Sequence, residues 1–233
     1  MTGGLIRMSV ILDHNKEKRM YKYKYKKELS LRLYNFVIFA ILIYGFVINI
    51  VLCAYIGNSI IYFNPLGIMI AYFILALLGC FMATYSDNAI ISFIGYNMVV
   101  VPVGVVLSIC IRIYGGLTSP IVLTAFIITT CIVSVMAVVG LYKPKFCSKL
   151  GGLLFACLIG IVVAEILMLL FGFKNTLISW ISAIVFSLYI AYDIYYSQML
   201  QPTLDNAVDS ALNIYLDIIN LFLNIVNISS KKK

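Results

Sequence analysis

Two aspartates, Asp193 and Asp217, lie in apolar segments that hold no lysine, arginine or histidine. An ionisable side chain in hydrocarbon costs at least about 3 kcal/mol, so such residues usually face a cavity or a transport path. Each aspartate lies about seven residues from the polar connection between the two segments, roughly 10 Å into a membrane. Two carboxyl groups at one depth on neighbouring helices can share a proton, and when ionised they offer ligands suited to Ca²⁺. We therefore predict that the pair senses pH and binds a metal cation.

The last apolar segment carries five polar residues at steps of 4, 3, 4 and 3, a spacing that places them on one stripe of a helix. They are Asn213, Asp217, Asn220, Asn224 and Asn227. Because a polar stripe cannot face lipid, we predict that this helix is central and that Asn213, Asn220 and Asn224 line a water-filled path. The alternative is that the asparagines form hydrogen bonds between helices and only hold the bundle together.

Glu165 is the third acidic residue inside an apolar segment. It lies about 15 residues from the cytoplasmic end of the fifth segment, at a different depth from the two aspartates. We predict that it lines the outer half of the same path. A packing role with a protonated side chain is the alternative.

The elements that must position these residues are membrane helices. Of the 233 residues, 63% are hydrophobic and 11% charged, whereas a soluble domain is about half apolar and a quarter charged. Seven apolar runs have nearly the length of about 20 residues that crosses a bilayer: 33–56, 65–85, 89–111, 120–141, 150–172, 176–200 and 210–228. We predict an all-α membrane protein with one seven-helix domain over 33–228, in which Ser210 caps the last helix.

Basic residues are concentrated before the first span. Residues 1–32 hold nine of the 17 lysines and arginines, which predicts a cytoplasmic N-terminal segment on anionic lipid headgroups. A nucleic-acid partner is disfavoured because a span follows directly. Three lysines in 142–149 agree with this orientation, and the basic tail 229–233 is then outside. The six cysteines occur singly, so we predict neither zinc nor disulfides, and no pattern predicts an organic cofactor.

The C-terminal third of the chain resembles the signature of the Bax inhibitor-1 family. The matching runs are Ala191-Tyr192-Asp193 and the stretch from Tyr215 to Phe222. Shorter matches in the middle of the chain are Gly104 to Ser108, Tyr114, Ala125-Phe126 and Thr129-Thr130. The resemblance covers about residues 33–228.

The resemblance implies six helices around a central seventh and a pH-sensitive Ca²⁺ leak, with Asp193 and Asp217 as the pH-sensing pair. Two features depart from the family pattern. The turn before the fifth helix commonly carries an aspartate and here reads Phe146-Cys147, and the second span has no basic residue that could pair with the first aspartate. What holds the closed state is therefore left open.

Other function classes are compatible with parts of this pattern. An intramembrane aspartyl protease would have a Gly-x-Gly-Asp motif at its second aspartate, where this chain reads Tyr215-Leu216-Asp217. A rhomboid-type serine protease needs a membrane histidine, which is missing, so we predict that the chain is not an enzyme. A non-conducting regulator of a protease or of a cell-death or stress partner is the alternative, with an unknown protein partner. The short loops favour a bacterial plasma membrane.

Overall fold

The computed structural model describes residues 28–56, 65–171 and 176–231, and within these ranges every regular element is a helix. In chain order the helices are α1 (Leu31–Tyr55), α2 (Pro65–Tyr85), α3 (Ala89–Ile113), α4 (Pro120–Tyr142), α5 (Pro144–Cys147), α6 (Gly151–Phe171), α7 (Thr176–Ser197) and α8 (Leu204–Ser230). The all-α prediction is confirmed. Most of the predicted basic segment, residues 1–27, and the last two lysines of the tail lie outside the described residues.

Six of these helices are long and apolar enough to cross a membrane: α1, α3, α4, α6, α7 and α8. The second predicted segment corresponds to α2, whose apolar stretch, Ala71–Tyr85, is shorter. A multi-pass membrane protein is therefore confirmed, with six candidate spans and one shorter apolar helix in the described part of the chain.

The last helix begins earlier than its apolar run indicates. The prediction that Ser210 caps it is wrong, because Thr203 is the N-cap and its hydroxyl accepts a 3.4 Å hydrogen bond from the Asn206 N–H. Ser210 lies on the second turn, with its hydroxyl 3.1 Å from the Tyr34 hydroxyl of α1. The helix thus extends beyond the apolar run, and its added turns pack against the start of α1.

The packing is organised around α8. This helix contacts α1, α2, α3, α4 and α7, and 61% of the residues in its most apolar 18-residue stretch are buried. By contrast, α6 packs mainly against α7, and only 11% of its corresponding stretch is buried. The structure therefore has an enclosed last helix and a peripheral α6.

Candidate functional site

Asp193 and Asp217 come together where α7 and α8 pack side by side. Their carboxyl groups are close enough to share a hydrogen bond. Asp193 is half-buried, whereas Asp217 is only 7% exposed. An ionised carboxylate can only accept hydrogen bonds, so a direct bond between the two groups requires a proton on one of them. The equal depth of the two aspartates in consecutive apolar segments predicts that they meet.

One carboxyl oxygen of Asp217 lacks a hydrogen-bond partner among the described residues. Its Oδ2 is buried, and the described residues provide no N–H or O–H donor to it. A buried carboxylate oxygen without a donor is costly, and a proton, a water molecule or a cation would each relieve that cost. The contact with Asp193 is therefore chemically suited to hold a shared proton or to offer oxygens to a cation.

Tyr189 is a member of the site that the sequence analysis missed. It precedes Asp193 by one turn of α7, and its phenol interacts electrostatically with both Asp193 and Asp217. The spacing of four residues before an intramembrane aspartate is the signal that could have found it. The neighbouring Tyr192 packs against the start of α6, where a Cβ added to Gly151 would lie 2.8 Å from its hydroxyl.

The polar stripe of α8 is only partly enclosed. Asn213 is exposed, so the expectation that the whole stripe faces inward is wrong at this residue. It lies one turn before Asp217 in α8, and α6 packs mainly against α7 rather than against α8. Asn220 and Asn224 are half-buried, and their amides donate to carbonyls of their own helix, those of Leu216 at 2.9 Å and Asn220 at 2.8 Å.

Asn227 is the stripe residue whose amide bonds to another helix. Its Nδ2 donates a 2.8 Å hydrogen bond to the Ser179 hydroxyl at the start of α7. Thus the reading of the stripe as a set of bonds between helices fits Asn227 but not Asn220 or Asn224, whose amide groups are used within α8.

Two further hydroxyls are buried near this interface without a partner in the described part of the chain. They are Ser182 Oγ on α7 and Thr129 Oγ1 on α4, and their residues are 0% and 5% exposed. Both helices pack against α8. Buried polar atoms are nearly always satisfied by protein or by ordered water, so these hydroxyls are two polar atoms next to α8 that can still accept a partner.

Glu165 does not join the site. It is exposed on the peripheral helix α6. The prediction that it lines a path shared with the aspartates is therefore wrong. The cause is the placement of α6, whose main contact is α7 rather than α8. A carboxyl group at this position faces the surroundings of the bundle.

The predicted metal ligands supply two carboxyl groups and no more. Within residues 28–56, 65–171 and 176–231, no group of three or more His, Cys, Asp or Glu side chains is placed to hold a metal ion. Ca²⁺ takes about six to eight oxygen ligands. Asp193 and Asp217 could therefore bind a passing Ca²⁺ only together with water or backbone carbonyls, which suits transient binding better than permanent binding.

Comparison with known proteins gives a family and several bacterial relatives. The family model described as "Inhibitor of apoptosis-promoting Bax1" matches residues 26–233. An uncharacterized protein of Helicobacter pylori is 35% identical over 102 residues, which cover 43% of this chain and 44% of that protein. An uncharacterized membrane protein of Streptococcus pyogenes is 34% identical over 136 residues, covering 54% of this chain and 57% of that protein. The matched stretch thus spans about half the length of each relative.

Proposed function

Because the chain belongs to the Bax inhibitor-1 family, we propose that it is a pH-sensitive Ca²⁺ leak channel of a bacterial plasma membrane, gated by Asp193 and Asp217. The observation that carries the proposal is the contact between these two carboxyl groups, one of which has a buried oxygen without a donor. Bacterial relatives, one of them named as a membrane protein, support the location.

In the proposed closed state the two carboxyl groups hold one proton between them. That proton converts a repulsive contact into a hydrogen bond and ties α7 to α8. When it leaves, two unit charges about 4 Å apart repel by about 4 kcal/mol at an effective dielectric constant of 20. A bias of this size changes the ratio of two conformations by about a thousandfold, so deprotonation can separate the helices.

Calcium acts in this proposal as the substrate that passes the gate. The deprotonated pair offers oxygens that Ca²⁺ prefers, and bound Ca²⁺ competes with the proton for them. When both carboxyl groups are protonated, the charge and the cation site disappear together. Flux should therefore be greatest where the pair is ionised and fall as the pH is lowered.

The proposed path follows α8 at the centre of a seven-span bundle, with α2 as the seventh span. Asn213 lies at its cytoplasmic mouth, where its exposure fits a water-filled vestibule. Asn220 and Asn224 line the next turns, and the hydroxyls of Thr129 and Ser182 add polar atoms from neighbouring helices. Glu165 is left out of this path because it is exposed on α6.

Ca²⁺ flux through the purified protein in liposomes tests the proposal. Vesicles that enclose a Ca²⁺ indicator, with equal pH on both sides, should show a leak that rises between roughly pH 5 and pH 8, a range above the reference values of carboxyl groups. Protein-free vesicles are the control. A membrane that stays impermeable at every pH would favour the alternative of a non-conducting regulator.

A further inference from the structure

A second buried polar contact fixes α8 from its other side. Asn49, in the C-terminal half of α1, donates a 2.6 Å hydrogen bond from Nδ2 to the Tyr215 hydroxyl of α8. Both residues are enclosed, with Asn49 2% exposed and Tyr215 fully buried. No exposed polar group takes part, so the contact is a specific bond between two helices inside an apolar bundle.

Tyr215 and Asp217 point in nearly opposite directions from the axis of α8. Two residues along a helix correspond to about 200° of rotation. Consequently, one face of α8 is attached to Asn49 of α1, and the opposite face meets Asp193 of α7. Rotation of α8 would have to break the first contact in order to change the second.

The surroundings of Asn49 and Tyr215 leave little freedom to move. A Cβ added to Gly104 of α3 would lie 2.6 Å from Asn49 Oδ1, so the amide fits only because this residue is glycine. Tyr96 of α3 packs edge-on against the Tyr215 ring, with centroids 5.9 Å apart, and donates from its hydroxyl to the Ile41 carbonyl at 2.9 Å. Asn49 Oδ1 is itself buried and has no donor among the described residues. Thus the Tyr215 hydroxyl is the hydrogen-bond partner that the described structure gives to the Asn49 side chain.

We propose that Asn49 and Tyr215 are a positioning pair whose hydrogen bond sets the rotation of α8 and thereby holds Asp217 against Asp193 in the closed state. This role rests on the proposed gate. Loss of the bond leaves a buried amide with neither end satisfied, so α8 gains freedom to turn.

Among the described residues, the other titratable groups around the two contacts are phenols and the thiols of Cys53 and Cys157. Tyr189 and Tyr192 of α7 interact with the aspartates. Tyr215 is faced by Tyr72 of α2, Tyr96 of α3 and Cys53 of α1. Because phenols and apolar thiols stay neutral at ordinary pH, the aspartates are the groups among these that titrate across the tested range.

The experiment compares Tyr215→Phe with Tyr96→Phe. Each variant removes one buried hydroxyl from the same ring cluster, but the Tyr96 hydroxyl bonds to α1 and not to α8. Membrane hydrogen bonds between helices change an equilibrium by about threefold on average and by up to about twentyfold. Tyr215→Phe should therefore weaken the closed state and move the midpoint of the pH titration lower by about half a pH unit or more, while Tyr96→Phe leaves it in place.

Two readouts separate this inference from the proposed leak. The first is Ca²⁺ flux in liposomes. The second is the fluorescence of Trp180, which is the sole tryptophan and lies on α7 beside a cavity of about 370 Å³ that Ile225 and Ile228 of α8 also line. Its pH titration in lipid nanodiscs reports movement of α8 relative to α7 whether or not ions pass.

A Trp180 midpoint that shifts in Tyr215→Phe but not in Tyr96→Phe supports the positioning pair, even if the liposomes never leak and the proposed channel is wrong. If the Trp180 midpoints of both variants equal that of the unchanged protein, the bond is only structural. The same conclusion follows if Trp180 fluorescence does not change with pH while the Ca²⁺ leak does. Gly104→Ala displaces the Asn49 amide without altering either partner. It should shift the midpoint in the same direction, which keeps the test decisive if Tyr215→Phe folds poorly.

Discussion

Asn227 of α8 and Ser179 of α7 form a hydrogen bond of 2.8 Å, ten residues along α8 from Asp217, which corresponds to about 15 Å along the helix axis. The two helices are thus joined by polar contacts at two separate levels. In the proposed orientation the aspartates lie toward the cytoplasm and the Asn227 contact lies toward the outside. Turning α8 at the aspartates also moves Ile225 and Ile228 past Trp180, whereas loss of the outer contact alone leaves the aspartate pair in place.

Asn227→Ala should raise the Ca²⁺ leak at every pH without moving its pH midpoint. The change removes a contact that closes the outer end, and bonds of this kind in membranes contribute about 0.6 kcal/mol, so we expect an increase of about threefold. Asn224→Ala is the matched control, since the Asn224 amide donates within its own helix. This variant should alter flux by changing the polarity of the path, without loosening the contact between α7 and α8. Its flux should keep the pH response of the unchanged protein. A shift in the pH midpoint of Ca²⁺ flux in Asn227→Ala would show that the outer contact also affects the aspartate pair.

Asp193→Asn and Asp217→Asn should each flatten the pH dependence of Ca²⁺ flux. An amide of nearly the same shape cannot release a proton, so neither variant can pass between the bridged and the repelled states. Flux measured from roughly pH 5 to pH 8 in liposomes tests this. Glu165→Gln removes a membrane carboxyl group that lies apart from the pair and should keep the response. If both aspartate variants showed the same dependence of Ca²⁺ flux on pH as the unchanged protein, the proposal that the pair forms the gate would be wrong.

Gly79→Ala should lower the melting temperature in detergent, whereas Gly160→Ala should not. A Cβ on Gly79 of α2 would lie 2.6 Å from the Gly95 carbonyl oxygen of α3, so the two backbones must separate. Gly160 of α6 has open space around it. Overpacking costs about 1–3 kcal/mol, which corresponds to a decrease of about 2–12 °C. Equal melting temperatures would mean that α2 and α3 pack less closely than described.

A cysteine in place of Lys145 should react with an impermeant maleimide only from the cytoplasmic side. Lys145 lies in α5, between α4 and α6, and is exposed. Positive charge favours the cytoplasmic side during insertion. Thr118→Cys, in the exposed loop between α3 and α4, should react only from outside. Labelling of the Lys145 position from outside would reverse the proposed orientation.

Apolar run length predicted the helices well, but not the beginning of α8. The turns that contain Asp205, Asn206 and Asp209 are too polar to extend a hydropathy run, although Thr203 caps a helix that includes them. Hydropathy measures the tendency to enter lipid, whereas a capped helix continues into water as long as its backbone hydrogen bonds are made.

The candidate site was predictable only in part. Depth along two consecutive helices was enough to pair Asp193 with Asp217. Periodicity placed Asn213 on the correct stripe, but it could not show how far the neighbouring helices extend, and so its exposure was missed. The bond between Asn49 and Tyr215 joins residues 166 positions apart, and a single asparagine in an apolar run carries no periodic signal.

The enclosed position of α8 has a consequence for biosynthesis. This helix follows all the other described helices in the chain, so the segment that completes the centre leaves the ribosome after α1 to α7, at about 5–20 residues per second. Until α8 inserts, the surfaces of α1, α3 and α4 that will contact it must face lipid or pack against one another. The packing of α1, α3 and α4 is therefore completed only when synthesis of the chain is nearly finished, and a chain that stops after α7 lacks the partner that these helices share.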